Sequence, residues 1–210
     1  MTISPLSMKS SLLVLTAFAL GLSGLQAQTA PAVKVDLQKP KFNAIQTPQF
    51  QAGNVPDKNW RPKTWLEIDM EFDIKLPAAA GGRNGSLGSM TVHYYLAMSA
   101  QTKDGKRHVL KGSFNYLDIP ASEKCHALAF ASPATLRRVL EKENFTNSDV
   151  VGHGIEVVVD GTVVALESSL GGKWWEATDK FAISENALLP KLDTPFSILW
   201  GDYDVQAKAK

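Results

Sequence analysis

The chain has little cysteine, little net charge and no long apolar run. Cys125 is the single cysteine among 210 residues, so no disulfide can form within the chain. Lys and Arg number 22 and Asp and Glu number 21, which gives a net charge of +1. This balance excludes a protein that holds nucleic acid by bulk positive charge. The apolar fraction of 44% is typical of a chain that buries a core.

The first residues have the pattern of a secretory signal peptide. Lys9 precedes a short apolar run over 12–20, and Ala27 is a small residue where cleavage is expected. We predict a signal peptide over 1–27, with Met8 as an alternative start. The run is shorter than the about 20 residues of a membrane-spanning helix, although an uncleaved anchor is the alternative. Cleavage would remove one charge and leave a neutral exported chain, and no cysteine follows the run for lipoprotein processing.

Prolines are concentrated after the predicted cleavage site. Five of the eleven lie there: Pro31, Pro40, Pro48, Pro56 and Pro62. Proline fixes the backbone and lacks the N–H that a helix or a central strand requires. We therefore predict an extended leader over 28–62, in which residues 46–51 could form an edge strand.

The clearest periodic signal follows the leader. Apolar residues occur at every second position: Leu66, Ile68, Met70, Phe72, Ile74 and Leu76. Acidic residues and one lysine alternate with them: Glu67, Asp69, Glu71, Asp73 and Lys75. A period of two predicts a strand with one face in a core and the other in water. The acidic face is interpreted as solvated, with a weak calcium site or a hydrolase pair as alternatives.

Further strands are predicted over 90–98, 109–117, 124–131, 155–159, 162–166 and 196–203. Asp104-Gly105 and Asp160-Gly161 are typical of hairpin turns. Ser132 followed by Pro133 predicts the start of one short helix. Strands do not alternate with helices, so the pattern predicts an all-β sandwich over 63–204 and a disordered tail over 205–210.

No group of residues has the spacing of a catalytic, metal or cofactor site. The four histidines, His93, His108, His126 and His153, lack the spacing of zinc ligands. Cys125 is interpreted as a small buried residue, with a disulfide between chains as the alternative. The Gly-rich residues 81–88 lack the features of a phosphate loop. We therefore predict no catalytic, metal or cofactor-binding residue.

Trp174 and Trp175 are the candidate contact residues. On a strand, one of two consecutive tryptophans faces outward, where it can anchor a partner or stack on a sugar. The alternative is that both are buried beneath the Pro-rich leader. Partner or glycan contact through Trp174 and Trp175 remains a hypothesis at this point.

Three segments resemble a known family. They are Leu-Pro-Lys-Leu-Asp-Thr-Pro-Phe-Ser-Ile-Leu-Trp-Gly-Asp-Tyr at 189–203, Trp-Leu-Glu-Ile-Asp-Met-Glu-Phe at 65–72 and Ser-Pro-Ala-Thr-Leu at 132–136. Over most of 60–203, the chain resembles the small pilus-like, outer-membrane-associated proteins of the Verrucomicrobia, of the Akkermansia type. The resemblance implies an immunoglobulin-like sandwich and a structural role, and it brings no catalytic residues. The chain departs from true pilins because cleavage after Ala27 would remove the apolar stem.

Together these observations predict an exported, non-enzymatic structural, assembly or interaction protein of the cell envelope, a pilus-like subunit or accessory. It is expected in the periplasm or associated with the outer membrane of a Gram-negative-type envelope. The expected partners are further copies or other envelope proteins that meet it through strand edges, with no nucleic acid, no cofactor and only indirect membrane contact. The alternative is a carbohydrate- or protein-binding module that uses exposed aromatics.

Overall fold

The computed structural model describes residues 33–51, 53–56 and 58–208. The predicted signal peptide lies outside these residues. Sheet A contains β1 (Lys34–Leu37), β2 (Lys41–Gln46), β3 (Thr64–Lys75), β6 (Cys125–Ala131) and β10 (Leu189–Pro190). Sheet B contains β4 (Ser86–Gln101), β5 (Arg107–Pro120), β7 (Val150–Val159), β8 (Thr162–Ser168) and β9 (Phe181–Ser184).

The two sheets pack as a sandwich around one main core. Sheet B has the order β8-β7-β4-β5-β9, and only the β5–β9 pair is parallel. In the part of the chain that the structure describes, the one α-helix is α1, Pro133–Leu140. Short 3-10 helices cover Ala78–Ala80, Gly82–Asn84, Asn147–Asp149, Trp174–Glu176 and Lys191–Asp193. The predicted all-β sandwich with one short α-helix is confirmed.

The alternation predicted for β3 is confirmed on its inner face. The apolar residues from Leu66 to Ile74 are buried against the inner face of sheet B, which includes Tyr94 and Tyr116. The two tyrosine hydroxyls lie 3.1 Å apart, and Tyr116 also donates to the Leu128 carbonyl at 3.1 Å. These hydrogen bonds satisfy polar atoms that burial would otherwise leave without partners.

The helix begins where the sequence predicts it. The Ser132 hydroxyl accepts a hydrogen bond from the Thr135 N–H at 3.1 Å, and Pro133 occupies the first turn. Glu141, with a φ of 53°, ends the helix in a left-handed conformation. Leu136, Val139 and Leu140 are buried on the face that packs against the core.

The Pro-rich leader contributes two strands to sheet A. Both strands pair with the same edge of β3, one after the other. β1 lies opposite residues 72–75, and β2 lies opposite residues 64–69. Pro40 lies between them, at the point where a missing N–H does not interrupt either ladder. The strand β2 covers residues 41–46, whereas the sequence predicted a possible edge strand over residues 46–51.

The prediction of a final strand over 196–203 is wrong. Its backbone hydrogen bonds are those of successive turns, such as Leu199 N–H to the Phe196 carbonyl at 2.9 Å. Residues 205–208, expected to be disordered, instead bond to the sandwich. The Val205 N–H donates to the His126 carbonyl at 2.8 Å, and Ala207 is buried next to Tyr116.

Candidate interaction surface

The outer face of sheet A is covered by the end of the chain. We call residues 191–204 the C-terminal clasp; they follow β10 and contact the outer side chains of β3 and β6. The clasp contains most of the segment that carries the family resemblance. An aromatic half and a polar half hold it in place.

Phe196 is the centre of the aromatic half. Its ring stacks on Phe130 with a centroid distance of 5.2 Å and meets the edge of Trp65 at 5.7 Å. Trp65 in turn donates its indole N–H to the Thr47 hydroxyl at 3.1 Å. Aromatic pairs of this kind contribute about 0.5–1.5 kcal/mol each beyond their area burial, so Phe196 anchors the clasp.

Asp69 is the centre of the polar half. Its carboxylate lies 2.7 Å from His126 Nδ1 and accepts a hydrogen bond from the Tyr203 hydroxyl at 2.7 Å. The rings of His126 and Tyr203 stack at 4.2 Å. Burial, together with the hydrogen bond to Asp69, raises the pKa of Tyr203, so its hydroxyl remains a donor.

A buried ion pair closes the clasp. The Lys191 ammonium contacts the Asp204 carboxylate and donates to the Trp200 carbonyl at 3.1 Å. Burial raises the pKa of Asp204, and the neighbouring Lys191 opposes this shift. Because both side chains are 9% exposed, removal of one partner would leave a buried charge without compensation.

The acidic face of β3 is therefore not uniformly solvated. Glu67 and Asp69 are buried beneath the clasp, which the sequence pattern could not show, while Glu71 pairs with Lys124 at 2.7 Å. Glu67 accepts a hydrogen bond from Asn43 at 2.8 Å, and burial raises its pKa. Each of these three carboxylates has a hydrogen-bond partner in the protein.

An apolar pocket of about 470 Å³ lies beside the clasp. Its apolar walls are Trp60, Trp65, Pro133 and Ala134, and Thr47, Ser132, Arg61 and Lys63 complete the lining. We call this the basic aromatic pocket. Trp60 is 45% exposed, and neither Arg61 nor Lys63 has an ion-pair partner within the described residues.

The clasp also exposes apolar side chains. We call residues 197–203 the clasp loop. Ile198 is 71% exposed, and Trp200 and Tyr203 are each nearly half exposed. Trp200 has a φ of 53°, a conformation that a bulky side chain rarely adopts, and its ring stacks on Phe196 at 6.1 Å. The loop therefore presents apolar surface on a strained but anchored backbone.

A second exposed surface lies at the edge of sheet B. β8 pairs with β7 on one side, and no other strand in the described part of the chain bonds to it. Val163 and Leu166 on β8 are exposed, as are the nearby Val151 and Leu170. An edge strand with exposed apolar side chains and unpaired backbone groups can pair with another chain.

Trp174 and Trp175 are buried, and neither lies on a strand. They form the short 3-10 helix Trp174–Glu176 against the outer face of sheet B. Trp175 stacks on Tyr95 at 4.3 Å, and Trp174 donates its indole N–H to the His153 carbonyl at 3.1 Å. A Cβ on Gly154 would lie 2.0 Å from the Trp175 ring, so the packing is close. Sheet B, rather than the leader, covers these rings, and this arrangement does not fit an exposed stacking platform.

Two of the remaining candidate histidines have side-chain partners within the sandwich. His153 lies 3.2 Å from Glu167, and His93 lies 2.7 Å from the Ser113 hydroxyl. Within the described ranges, no three His, Cys, Asp or Glu residues converge as metal ligands, and no helix is long and apolar enough to cross a membrane. Burial raises the pKa of the Cys125 thiol to about 11, so the thiolate nucleophile is disfavoured.

The basic aromatic pocket is not evident from the sequence. Trp60, Arg61 and Lys63 lie in or next to the stretch that was predicted to be leader, and only the fold brings them next to α1. The aromatic–basic sequence of residues 60–65 was the available signal. The family resemblance drew attention to the clasp segment, but it did not predict that the aromatic side chains of the clasp are exposed.

Comparisons with known proteins identify a family and a similar fold. A family model matches residues 26–210, which is most of the chain. The crystal structure of a protein from Akkermansia muciniphila is similar, with a TM-score of 0.76, and the match covers 85% of this chain and 95% of that chain. The two sequences are 24% identical, so this similarity shows the fold alone. No curated protein matches the chain.

Proposed function

Because the chain belongs to the Akkermansia-type family of verrucomicrobial proteins, we propose that it is an exported, non-enzymatic structural protein of the cell envelope that assembles through strand edges. The observation that carries the proposal is the unpaired edge of β8. A pilus-like subunit or accessory is the specific form of this role.

The β8 edge supports assembly by strand addition. β1 lies close to β8 but bonds to β3, so among the described residues the edge of β8 that faces away from β7 has no ladder partner. Two copies that meet antiparallel at β8 would form one continuous sheet and would cover Val163 and Leu166 in both copies. Main-chain hydrogen bonds would supply affinity, and the apolar side chains would supply specificity.

The polar clusters support a role without catalysis. Asp69 and His126 pair with each other and with Tyr203 on a face that the clasp covers. The Cys125 thiol is buried, and it donates to the Pro120 carbonyl at 3.5 Å. These groups stabilise the sandwich, and none combines an activated nucleophile with a substrate pocket.

Light scattering on the chain from residue 28 tests the proposal. We expect a mass that is a small multiple of one chain across the micromolar range. Val163→Lys with Leu166→Lys should lower the mass below that of the wild type, because two charged side chains oppose strand pairing. Phe50→Lys with Val55→Lys is the matched control, since both residues are exposed outside the strands. A wild-type mass of one chain at every concentration contradicts the proposal.

A second candidate function is binding of another protein through exposed aromatics. The partly exposed Trp60 and Trp200 favour it. The carbohydrate-binding form of this candidate depended on Trp174 and Trp175, whose burial against Tyr95 and Phe181 gives it no support.

A further inference from the structure

We infer that the clasp loop of one copy occupies the basic aromatic pocket of a second copy. The inference rests on the proposed self-association and adds to it a second interface, on the outer face of sheet A. A single contact between two copies would account for both the open basic aromatic pocket and the exposed clasp loop.

The pocket is suited to a bulky apolar side chain next to a carboxylate. Trp60, Trp65 and Pro133 provide flat apolar walls, and Arg61 and Lys63 add two positive charges. The pocket hydroxyls are already engaged, because Thr47 accepts from Trp65 and Ser132 accepts from Thr135. A neutral sugar would find few free hydrogen-bonding groups here, so the lining favours an acidic, apolar protein segment.

The clasp loop has the complementary chemistry. Ile198 and Trp200 are exposed apolar side chains, and Asp202 is an exposed carboxylate with no ion-pair partner in the described part of the chain. Trp200 is held by its stacking on Phe196 and by the contact of the Lys191 ammonium with its carbonyl. The loop is therefore ordered before it binds, which lowers the entropy cost of association.

The pocket and the loop flank the same pair of buried rings. Trp65 lines the pocket and contacts Phe196, which in turn contacts Trp200 of the clasp loop. A two-fold axis near the Trp65–Phe196 pair would bring each loop to the other copy's pocket. Such an interface is self-complementary, and closed dimers use this symmetry most often.

Opposite local charges favour the contact although the chain as a whole is nearly neutral. Asp202 of each loop would approach Arg61 and Lys63 of the other copy, so a two-fold dimer contains two such contacts. Because opposite charges at an interface select the partner, exchange of the charges gives a sharp test.

The test uses sedimentation of the chain from residue 28 with the β8 edge blocked by Val163→Lys and Leu166→Lys. In this background we expect a dimer. Arg61→Glu with Lys63→Glu should weaken it about tenfold or more, and Asp202→Lys should do the same. Lys103→Glu with Lys180→Glu is the control, because it removes two exposed positive charges elsewhere and should leave the dimer unchanged.

Mixing the two weakened variants gives the decisive measurement. In their heterodimer, the acidic pocket of one copy meets the loop that carries Asp202→Lys, and the natural pocket of the other copy meets the natural loop. Both contacts are then attractive, so the mixture should form a dimer that neither variant forms alone. Circular dichroism verifies that each variant is folded.

The outcomes separate the inference from the proposed function. If the wild type self-associates but the β8-blocked chain is a single copy, the inference is overturned and the β8 proposal stands. If the β8-blocked chain is a dimer that the pocket and loop variants do not weaken, the inference is overturned and a different interface holds that dimer. If the wild type never associates, both are overturned. If Trp200→Ala instead abolishes binding to phosphatidylcholine vesicles without a change in mass, the loop contacts lipid and the inference is also overturned.

Discussion

At the scale of single residues, the carboxylates of β3 differ in their surroundings although they alternate regularly in sequence. Burial raises the pKa of Glu67, whereas the hydrogen bond from Lys124 lowers the pKa of Glu71. The sequence pattern predicts the same solvated environment for both residues. The fold distinguishes them, because the clasp covers Glu67 whereas Lys124 pairs with the more exposed Glu71.

This difference predicts opposite pH dependences for two matched substitutions. The pKa of Glu67 is higher in the folded state than in the unfolded state, so the folded state binds a proton on this carboxyl more tightly. The stability that this group contributes is therefore lost as the pH rises through its folded-state pKa. Glu67→Gln should therefore gain stability relative to wild type as the pH rises from about 4 to about 7. Glu71→Gln should lose relative stability over the same range, because the folded pKa of Glu71 is lowered. Urea unfolding at the two pH values measures both, and equal trends would contradict the assignment.

At the scale of secondary-structure elements, the sequence predicts what local rules determine. Period-two alternation identified β3, and Ser132-Pro133 identified the start of α1, because side-chain faces and helix caps depend on neighbouring residues. Phe196, Ile198 and Trp200 also alternate, yet they form turns. Phe196 is buried while Ile198 and Trp200 are exposed, so their spacing does not reflect one common face.

The same limit explains the tryptophan pair and the edge strands. Trp174 and Trp175 occupy a 3-10 helix, in which consecutive side chains do not alternate between two faces, and each packs on a different residue of sheet B. The strands β1 and β2 have weak patterns of their own. They form because the edge of β3 supplies hydrogen-bond partners, which is a tertiary effect.

The clasp predicts a large difference between two neighbouring apolar positions. Phe196→Ala should lower the free energy of unfolding by about 3–5 kcal/mol, because it removes a buried ring from contact with Trp65 and Phe130. Ile198→Ala should change it by no more than about 0.5 kcal/mol, since Ile198 is mostly exposed. Denaturant unfolding compares the two variants at a protein concentration at which each is a single chain. Equal losses of unfolding free energy would show that the clasp does not depend on Phe196.

At the scale of the whole molecule, the sandwich is held by its core and not by a disulfide. Sheets A and B enclose one main cluster of buried apolar side chains, and the clasp adds a smaller aromatic cluster on the outside. Cys125 is part of the main cluster, where it packs as a small apolar residue. Composition indicated this organisation, because one cysteine cannot form a disulfide within the chain.

The environment of Cys125 favours the buried packing role over a disulfide between chains, the two interpretations that the sequence left open. The thiol is buried, and desolvation raises its pKa to about 11, so at a pH of about 8 both the thiolate fraction and access are low. We expect iodoacetamide to label the native chain at least about tenfold more slowly than the urea-unfolded chain. Reductant should leave the light-scattering mass unchanged, because assembly through β8 and the clasp loop needs no covalent link. Rapid native labelling, or loss of mass with reductant, would instead favour a disulfide between chains and would place Cys125 at the interface.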